Sequence, residues 1–280
     1  MSIKTPQHLY SNTPPTILRN RQEKFRTAKD NPFWLFVADY VFKRMLSARF
    51  HALMYKGFEN VEARDKSKAI LFYANHNNWW DGILGYNIVR RLTKGKKFRL
   101  MIEEMNRFPL FQYIGCFPVN KRSAQEAMKT LKYAATMFDE PTTHFWFFPQ
   151  GIIRPPHYRP EVFQSGLAYL TQNAIERTGG INLCPVAVNY TFLRQDKPEI
   201  VLEFGKVQTL YEFNYDRKEF CHMLERGFEE LCDNQQLQIS KGNFEGYQYL
   251  FKQRLSWWRD IELRLKNIGM KDKLKNDNAK

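Results

Sequence analysis

The chain has no long apolar run. No stretch approaches the roughly 18–20 consecutive apolar residues that a spanning helix needs. The longest near-apolar run, Phe33 to Phe42, is already broken by Asp39. Residues 1–32 contain no apolar centre of the kind a secretory signal requires. The first 22 residues are basic and free of acid, a composition shared with transit peptides. Cysteine is scarce as well. Cys116, Cys184, Cys221 and Cys232 lie far apart and form no CxxC pair, which argues against a disulfide framework or a zinc cluster and for a reducing, intracellular compartment. The six histidines show no metal-ligand spacing, so neither a metal nor a resident cofactor is expected. With 14 Gly and 13 Pro in 280 residues the chain is not collagen-like or a linker, and no repeat of 20–50 residues is present. Acid is also in short supply: 29 Asp and Glu stand against 43 Lys and Arg, a formal net charge of +14.

What is present is a folded composition, 43% hydrophobic and 15% aromatic, long enough for one sizeable core with a small appendage. The positive charge calls for a polyanionic partner: nucleic acid, an anionic membrane surface, or a phosphorylated or thioester-carrier substrate. It is concentrated in two places. Residues 90–108 carry seven Lys and Arg against Glu103 and Glu104, and residues 247–280 carry nine against four, interleaved with Trp257, Trp258 and several Leu. Basic residues with Trp beside an apolar face make up an interfacial helix, although a charge run by itself is more often a solvated face. No nucleic-acid module signature accompanies the charge, and charge alone does not choose among the partners.

Residues 1–30 read as a basic, flexible leader, and residues 31–57 as an amphipathic helical segment starting at Asn31-Pro32. Trp34, Val37, Ala38, Val41, Met45, Ala48, Ala52 and Tyr55 recur there at spacings of three and four, with Phe33, Phe36, Phe42 and Phe50 adding apolar surface. Between 58 and 240, candidate strands (69–74, 98–102, 116–119, 144–148, 183–189, 200–204) alternate with helical patterns (79–92, 123–138, 162–176, 216–231). The fold class expected is α/β: a mixed, largely parallel central sheet flanked by helices, preceded by the N-terminal amphipathic segment. Residues 241–280 read as a basic C-terminal helix and tail.

In such sheets functional side chains gather where a strand ends and a helix begins. The strand at 69–74 runs directly into Asn75-His76-Asn77-Asn78-Trp79-Trp80-Asp81-Gly82. A His at the sheet rim can reach a substrate. An Asp five residues on, in the first turn of the next helix, can fold back onto one imidazole nitrogen, set the tautomer and stabilise the imidazolium. The plainer reading leaves Asp81 as a helix-start carboxylate and Asn77 or Asn78 as an N-cap.

Asn75-His76 followed by Asp81 resembles the NHxxxxD (HX4D) signature of the PlsC-like glycerolipid and lysophospholipid acyltransferase superfamily. Three further blocks follow in order. Phe108 to Phe111 with Gly115 to Arg122 resembles the second block, Phe147-Phe148-Pro149-Gln150-Gly151-Ile152-Ile153-Arg154 the third, and Leu183 to Ala187 the fourth. The resemblance spans roughly residues 50–205. The chain departs from it at Gln150, where Glu is usual, at Ile152-Ile153 in place of Thr, and at Asn120-Lys121 in place of Asp-Arg, so it resembles a divergent FPQG-type branch.

The resemblance implies transfer of a fatty acyl group from an acyl thioester, acyl-CoA or acyl carrier protein, to a hydroxyl of a lyso-lipid or related acceptor. It implies a peripheral protein of lipid metabolism, phospholipid biosynthesis included, on the cytoplasmic face of an anionic membrane, with no nucleic-acid partner. His76 is then the general base and Asp81 its orienting partner. Asn75, Lys121, Arg122, Gln150, Gly151 and Arg154 are the substrate-binding candidates, Arg154 as a fork for phosphate or carboxylate and Gly151 as a close-approach backbone position. Trp79 and Trp80 line the entrance or sit at headgroup level, while Trp146, Phe147 and Phe148 belong to the core. A thioesterase and a non-catalytic lipid-binding module are the alternatives on the same fold.

Overall fold

The computed structural model describes residues 25–93, 96–103, 105–121, 123–193, 195–254 and 261. Their elements run α1 (Pro32–Arg49), β1 (Ala52–Lys56), α2 (Phe58–Glu62), β2 (Ile70–Ala74), α3 (Trp80–Leu92), β3 (Lys97–Ile102), β4 (Cys116–Pro118), α4 (Ala124–Thr136), β5 (Thr143–Phe147), α5 (Gly166–Thr178), β6 (Ile181–Thr191), β7 (Glu199–Phe204), β8 (Gln208–Leu210), α6 (Arg217–Ser240) and β9 (Gln248–Lys252). The strands form one mixed sheet in the order β4-β3-β5-β2-β6-β7-β1-β9, with β8 on β6. Pairs β3/β4, β3/β5, β2/β5, β2/β6 and β1/β7 are parallel, whereas β6/β7, β6/β8 and β1/β9 are antiparallel. The α/β architecture expected from the alternation of strands and helices is the architecture observed.

The central strand explains why periodicity is faint here. Both faces of β2 are covered, so its residues are all buried and no polar face remains. Ile70, Phe72 and Ala74 point to the layer containing α1 and α3, and Leu71 and Tyr73 to the layer containing α4, α5 and α6. β5 divides likewise, with Trp146 on the first side and Phe145 and Phe147 on the second.

Five expectations are corrected. The helix expected over 31–57 stops at Arg49, with Phe50 extended, and Ala52–Lys56 is instead strand β1, paired with β7 and β9. Ala52 and Tyr55 continue the helical spacing by coincidence, because a short apolar run carries no period strong enough to outweigh strand pairing. Within α1 the buried side chains are Ala38, Phe42 and Leu46, a stripe rotated from the expected one, and Val41 is exposed. The helix expected from Val162 begins at Gly166, with 159–163 outside any helix or strand, and α6 runs on to Ser240. Part of the expected C-terminal helix, Gln248–Lys252, is edge strand β9. Trp257 and Trp258 lie outside the described residues, as do the expected leader's first 24. The sheet therefore draws strands from both flanking segments.

Candidate active site

β2 delivers Asn75 and His76 to the sheet rim, and α3 opens four residues later. Asn75 continues the ladder with its side chain: Oδ1 accepts from Val188 N–H at 2.8 Å and Nδ2 donates to Val188 C=O at 2.8 Å. Asn77 Nδ2 donates to the same carbonyl at 2.7 Å. The turn is thus anchored to β6 before it reaches α3, where Asn78 Oδ1 accepts from Trp80 N–H at 2.7 Å.

Asp81, 1% exposed, is saturated. Its Oδ2 accepts from His76 Nδ1 at 2.9 Å, from Asn77 N–H at 2.6 Å and from Asn78 N–H at 2.8 Å. Its Oδ1 accepts from the Tyr190 hydroxyl at 2.6 Å. A carboxylate is an acceptor only, so the imidazole proton is assigned to Nδ1 and the Nε2 lone pair is free. Burial, then the adjacent Asp81 charge, hold the Tyr190 phenol well above its usual range, so it stays a donor. The imidazole stacks on Phe148, centroids 4.2 Å apart and planes 13° from parallel. The His76 backbone is clamped too. Its N–H donates to Gln150 Oε1 at 2.7 Å, and its C=O accepts from Arg154 N–H at 2.8 Å.

The fold brings most of the expected residues together and separates their roles. Asn75 and Gln150 are each 4% exposed, with their amides spent on protein groups: Asn75 on Val188, Gln150 on His76 and Glu161. Gly151 adopts φ +70°, a left-handed conformation, while an added Cβ would meet only Gln164 Cγ, at 3.3 Å, so its need for glycine is conformational. Lys121 pairs with Glu103 at 2.7 Å and donates to the Gly151 carbonyl, bracing the third block. Arg154 stacks its guanidinium 4.0 Å from the Tyr158 ring centroid and forms no ion pair among the described residues. Arg122 lies outside them. Phe148, assigned to core with Trp146 and Phe147, lies past the end of β5 against His76.

His76 opens onto a cavity of about 890 Å³, within the range of small-molecule sites. Trp79, Phe108, Phe111 and Ile102 line it along with His76, and Tyr86, Phe98, Ile114 and Trp146 lie at its deep, apolar wall. Gly151, Gln150, Glu103 and Lys121 supply its polar side. Tyr190 and Glu161 were not legible as site residues. Tyr190 is 109 positions from its partner, and no spacing announces such a contact.

A family model described as Acyltransferase matches residues 54–189. No curated protein matches the chain. Among solved structures, the crystal structure of the 1-acyl-sn-glycerophosphate (LPA) acyltransferase PlsC from Thermotoga maritima is similar at 16% identity and a TM-score of 0.47, covering 71% of this chain and 77% of that one. Residues 54–189, which hold the His76–Asp81 pair, Gln150 and Gly151, carry this chain's match to the Acyltransferase family.

Proposed function

We propose that this protein is a peripheral O-acyltransferase that moves a fatty acyl group from an acyl thioester to a hydroxyl of a lyso-lipid or related lipid acceptor. The observation that carries the reading is the His76–Asp81 pair, 2.9 Å apart, opening onto an apolar cavity. An aliphatic hydroxyl is a weak nucleophile at neutral pH, so a base must take its proton as it attacks. His76 Nε2 takes that proton, the acceptor oxygen bonds to the thioester carbonyl carbon, and the tetrahedral intermediate collapses with cleavage of the C–S bond. The imidazolium returns its proton to the departing thiolate. Asp81 balances the imidazolium charge meanwhile, so the cycle needs no covalent enzyme intermediate.

The apolar wall suits the acyl chain, and Arg154 suits a phosphate or carboxylate of the donor or the acceptor head group, with Lys121 and Arg122 contributing charge. The donor is acyl-CoA or acyl carrier protein. The partner surface is an anionic membrane, on its cytoplasmic face. Among the described residues no helix is long and apolar enough to cross a membrane. Instead α1 exposes Phe33, Phe36 and Tyr40 at 64%, 73% and 62%, alongside exposed Lys43 and Arg44. Ring contacts lead from exposed Trp79 at the cavity through Phe108 and Phe111 to buried Phe42, so the core side of α1 packs beside the cavity while Phe33, Phe36 and Tyr40 stay exposed on the helix.

The test is acyl transfer followed by mass spectrometry, with purified protein, acyl-CoA or acyl carrier protein, and a lipid extract, against a His76→Ala control. A new acylated lipid that vanishes in the control is expected. Donor hydrolysis without a lipid product would replace the reading with a thioesterase. Lipid binding without His76-dependent turnover would replace it with a non-catalytic module.

A further inference from the structure

The third block carries an amide where a carboxylate is usual, and a carboxylate lies directly behind it. Gln150 Nε2 donates to Glu161 Oε2 at 2.5 Å while Gln150 Oε1 accepts from the His76 N–H. Glu161 is 4% exposed and sits on the stretch between the third block and α5. That stretch is pinned to α6 by a ladder of acids four residues apart. Asp233 takes the Arg159 guanidinium, Glu229 the Glu161 N–H, and Glu225 the Phe163 N–H, the last at 2.6 Å. Four residues of helix advance about 6 Å and two residues of extended chain about 6.6 Å, so Glu229 and Glu225, four apart, can meet the backbone donors of Glu161 and Phe163, two apart. Gln164 N–H closes the stretch onto Pro149 C=O at 2.8 Å. Residue 161 is therefore held by its backbone on one side and presents its side chain to Gln150 on the other.

We propose that Glu161 is a positioning residue for the His76 reaction: it fixes the orientation of the Gln150 amide, and through it the His76 backbone, so that the charge usual at position 150 stands one side chain further back.

An ionised carboxylate only accepts, so Gln150 must turn Nε2 toward Glu161 and Oε1 toward the His76 N–H. Reversing the amide would set donor against donor at His76. The pair is also mutually exclusive with the usual acid. A carboxylate at position 150 would face Glu161 in a buried site, where ionising both acids at such close range is costly and the pair takes up a shared proton more readily than either acid alone. Burial already favours protonated Glu161, opposed by the Gln150 hydrogen bond and by Arg159. A second acid would tip that balance.

The kinetic arm of the test rests on the acyl-transfer reading, and a second arm does not. Gln150→Glu, Glu161→Gln, the double variant and Glu161→Leu are compared with wild type for kcat, KM, pH profile and thermal midpoint. Glu161→Gln keeps an acceptor for Gln150 and is expected to stay within about threefold of wild type. Gln150→Glu is expected to lose about tenfold or more in kcat near neutral pH, and its deficit relative to wild type at the same pH is expected to narrow as pH falls and the two acids share a proton. The double variant rebuilds both hydrogen bonds, the one between positions 150 and 161 with reversed polarity: the carboxylate now at position 150 accepts from the His76 N–H, as Gln150 does, and from the amide now at position 161. It is expected within about threefold of wild type. Glu161→Leu is expected to lower kcat about tenfold with KM nearly unchanged, which packing loss alone would not do. A double variant no better than Gln150→Glu, or a Gln150→Glu enzyme equal to wild type at every pH, overturns the proposal. If wild type turns over no thioester, the acyl-transfer reading fails by itself. Hydrogen exchange at the His76 amide then decides the positioning: protected in wild type and the double variant, faster in Gln150→Glu and Glu161→Leu. Equal exchange in all of these overturns it.

Discussion

Replacing Asp81 by Asn separates what the carboxylate does by hydrogen bonding from what it does by charge. Three donors converge on Oδ2, namely His76 Nδ1–H and the Asn77 and Asn78 amides, whereas the Tyr190 hydroxyl alone meets Oδ1. An Asn side chain in this cage has one good orientation, with its oxygen facing the three donors and its NH2 facing Tyr190. The tyrosine hydroxyl can rotate its proton away and accept, so every hydrogen bond of the turn survives. Weaker bonds to a neutral oxygen are offset by removal of a buried charge, and stability is expected to stay within about 1 kcal/mol, a thermal midpoint shift of roughly 2–4 °C. The imidazole also keeps its proton on Nδ1. What disappears is the anion beside the imidazolium. Opposite charges about 4 Å apart at an effective dielectric near 20 interact by about 4 kcal/mol. At about 1.4 kcal/mol per decade, kcat should fall about a thousandfold with KM nearly unchanged. Steady-state acyl transfer and a thermal melt on the same preparation measure both quantities. An Asp81→Asn protein keeping more than about a tenth of wild-type kcat would refute charge stabilisation of His76. A collapsed melt would refute the cage.

Three further outcomes follow from particular contacts. Tyr190→Phe leaves Asp81 Oδ1 buried without its donor and is expected to cost about 1.5–3 kcal/mol in urea unfolding, and an unchanged midpoint would show the bond contributes nothing. Gly85→Ala on α3 gains about 1 kcal/mol of helix propensity, yet its Cβ would lie 2.6–2.9 Å from ring carbons of fully buried Trp146. Overpacking of about 1–3 kcal/mol should win, so the melting temperature is expected to fall, and a rise would mean the ring yields freely. His144 is buried, donating Nδ1–H to Thr142 C=O and accepting from Arg64 at Nε2, and burial pushes it down to about 3 from 6.5. The unfolded chain binds the proton first. This contribution to stability is thus complete above pH 6.5 and is lost at up to about 1.4 kcal/mol per unit as pH falls from 6.5 toward 3. His144→Asn should flatten the acid limb of a urea-midpoint profile, and parallel profiles for the two proteins would exclude His144 as its source.

The outcome for individual residues shows how far a sequence reaches. His76 and Asp81 were legible as a pair because five residues of strand, turn and helix bring them together almost wherever that unit sits. The α/β class was legible because alternating strand and helix patterns specify layers without specifying partners. Strands β1 and β9 were not. Each is five residues long, and Ala52–Lys56 is assigned to a sheet by β7 and β9 on either side of it rather than by its own period. The same holds at the site. Tyr190 reaches Asp81 across 109 positions, Gln150 reaches the His76 amide across 74, and Glu225 holds Phe163 across 62. The acid missing from position 150 looked like a loss in the sequence, since Glu161 lies eleven residues away. Local covalent geometry decided the His76–Asp81 pairing, and the alternation of strand and helix patterns decided the layer class. The groups that hold the pair in place, and the charge behind it, were decided only by packing, because hydrogen bonds between distant segments exist only once the sheet has brought those segments together.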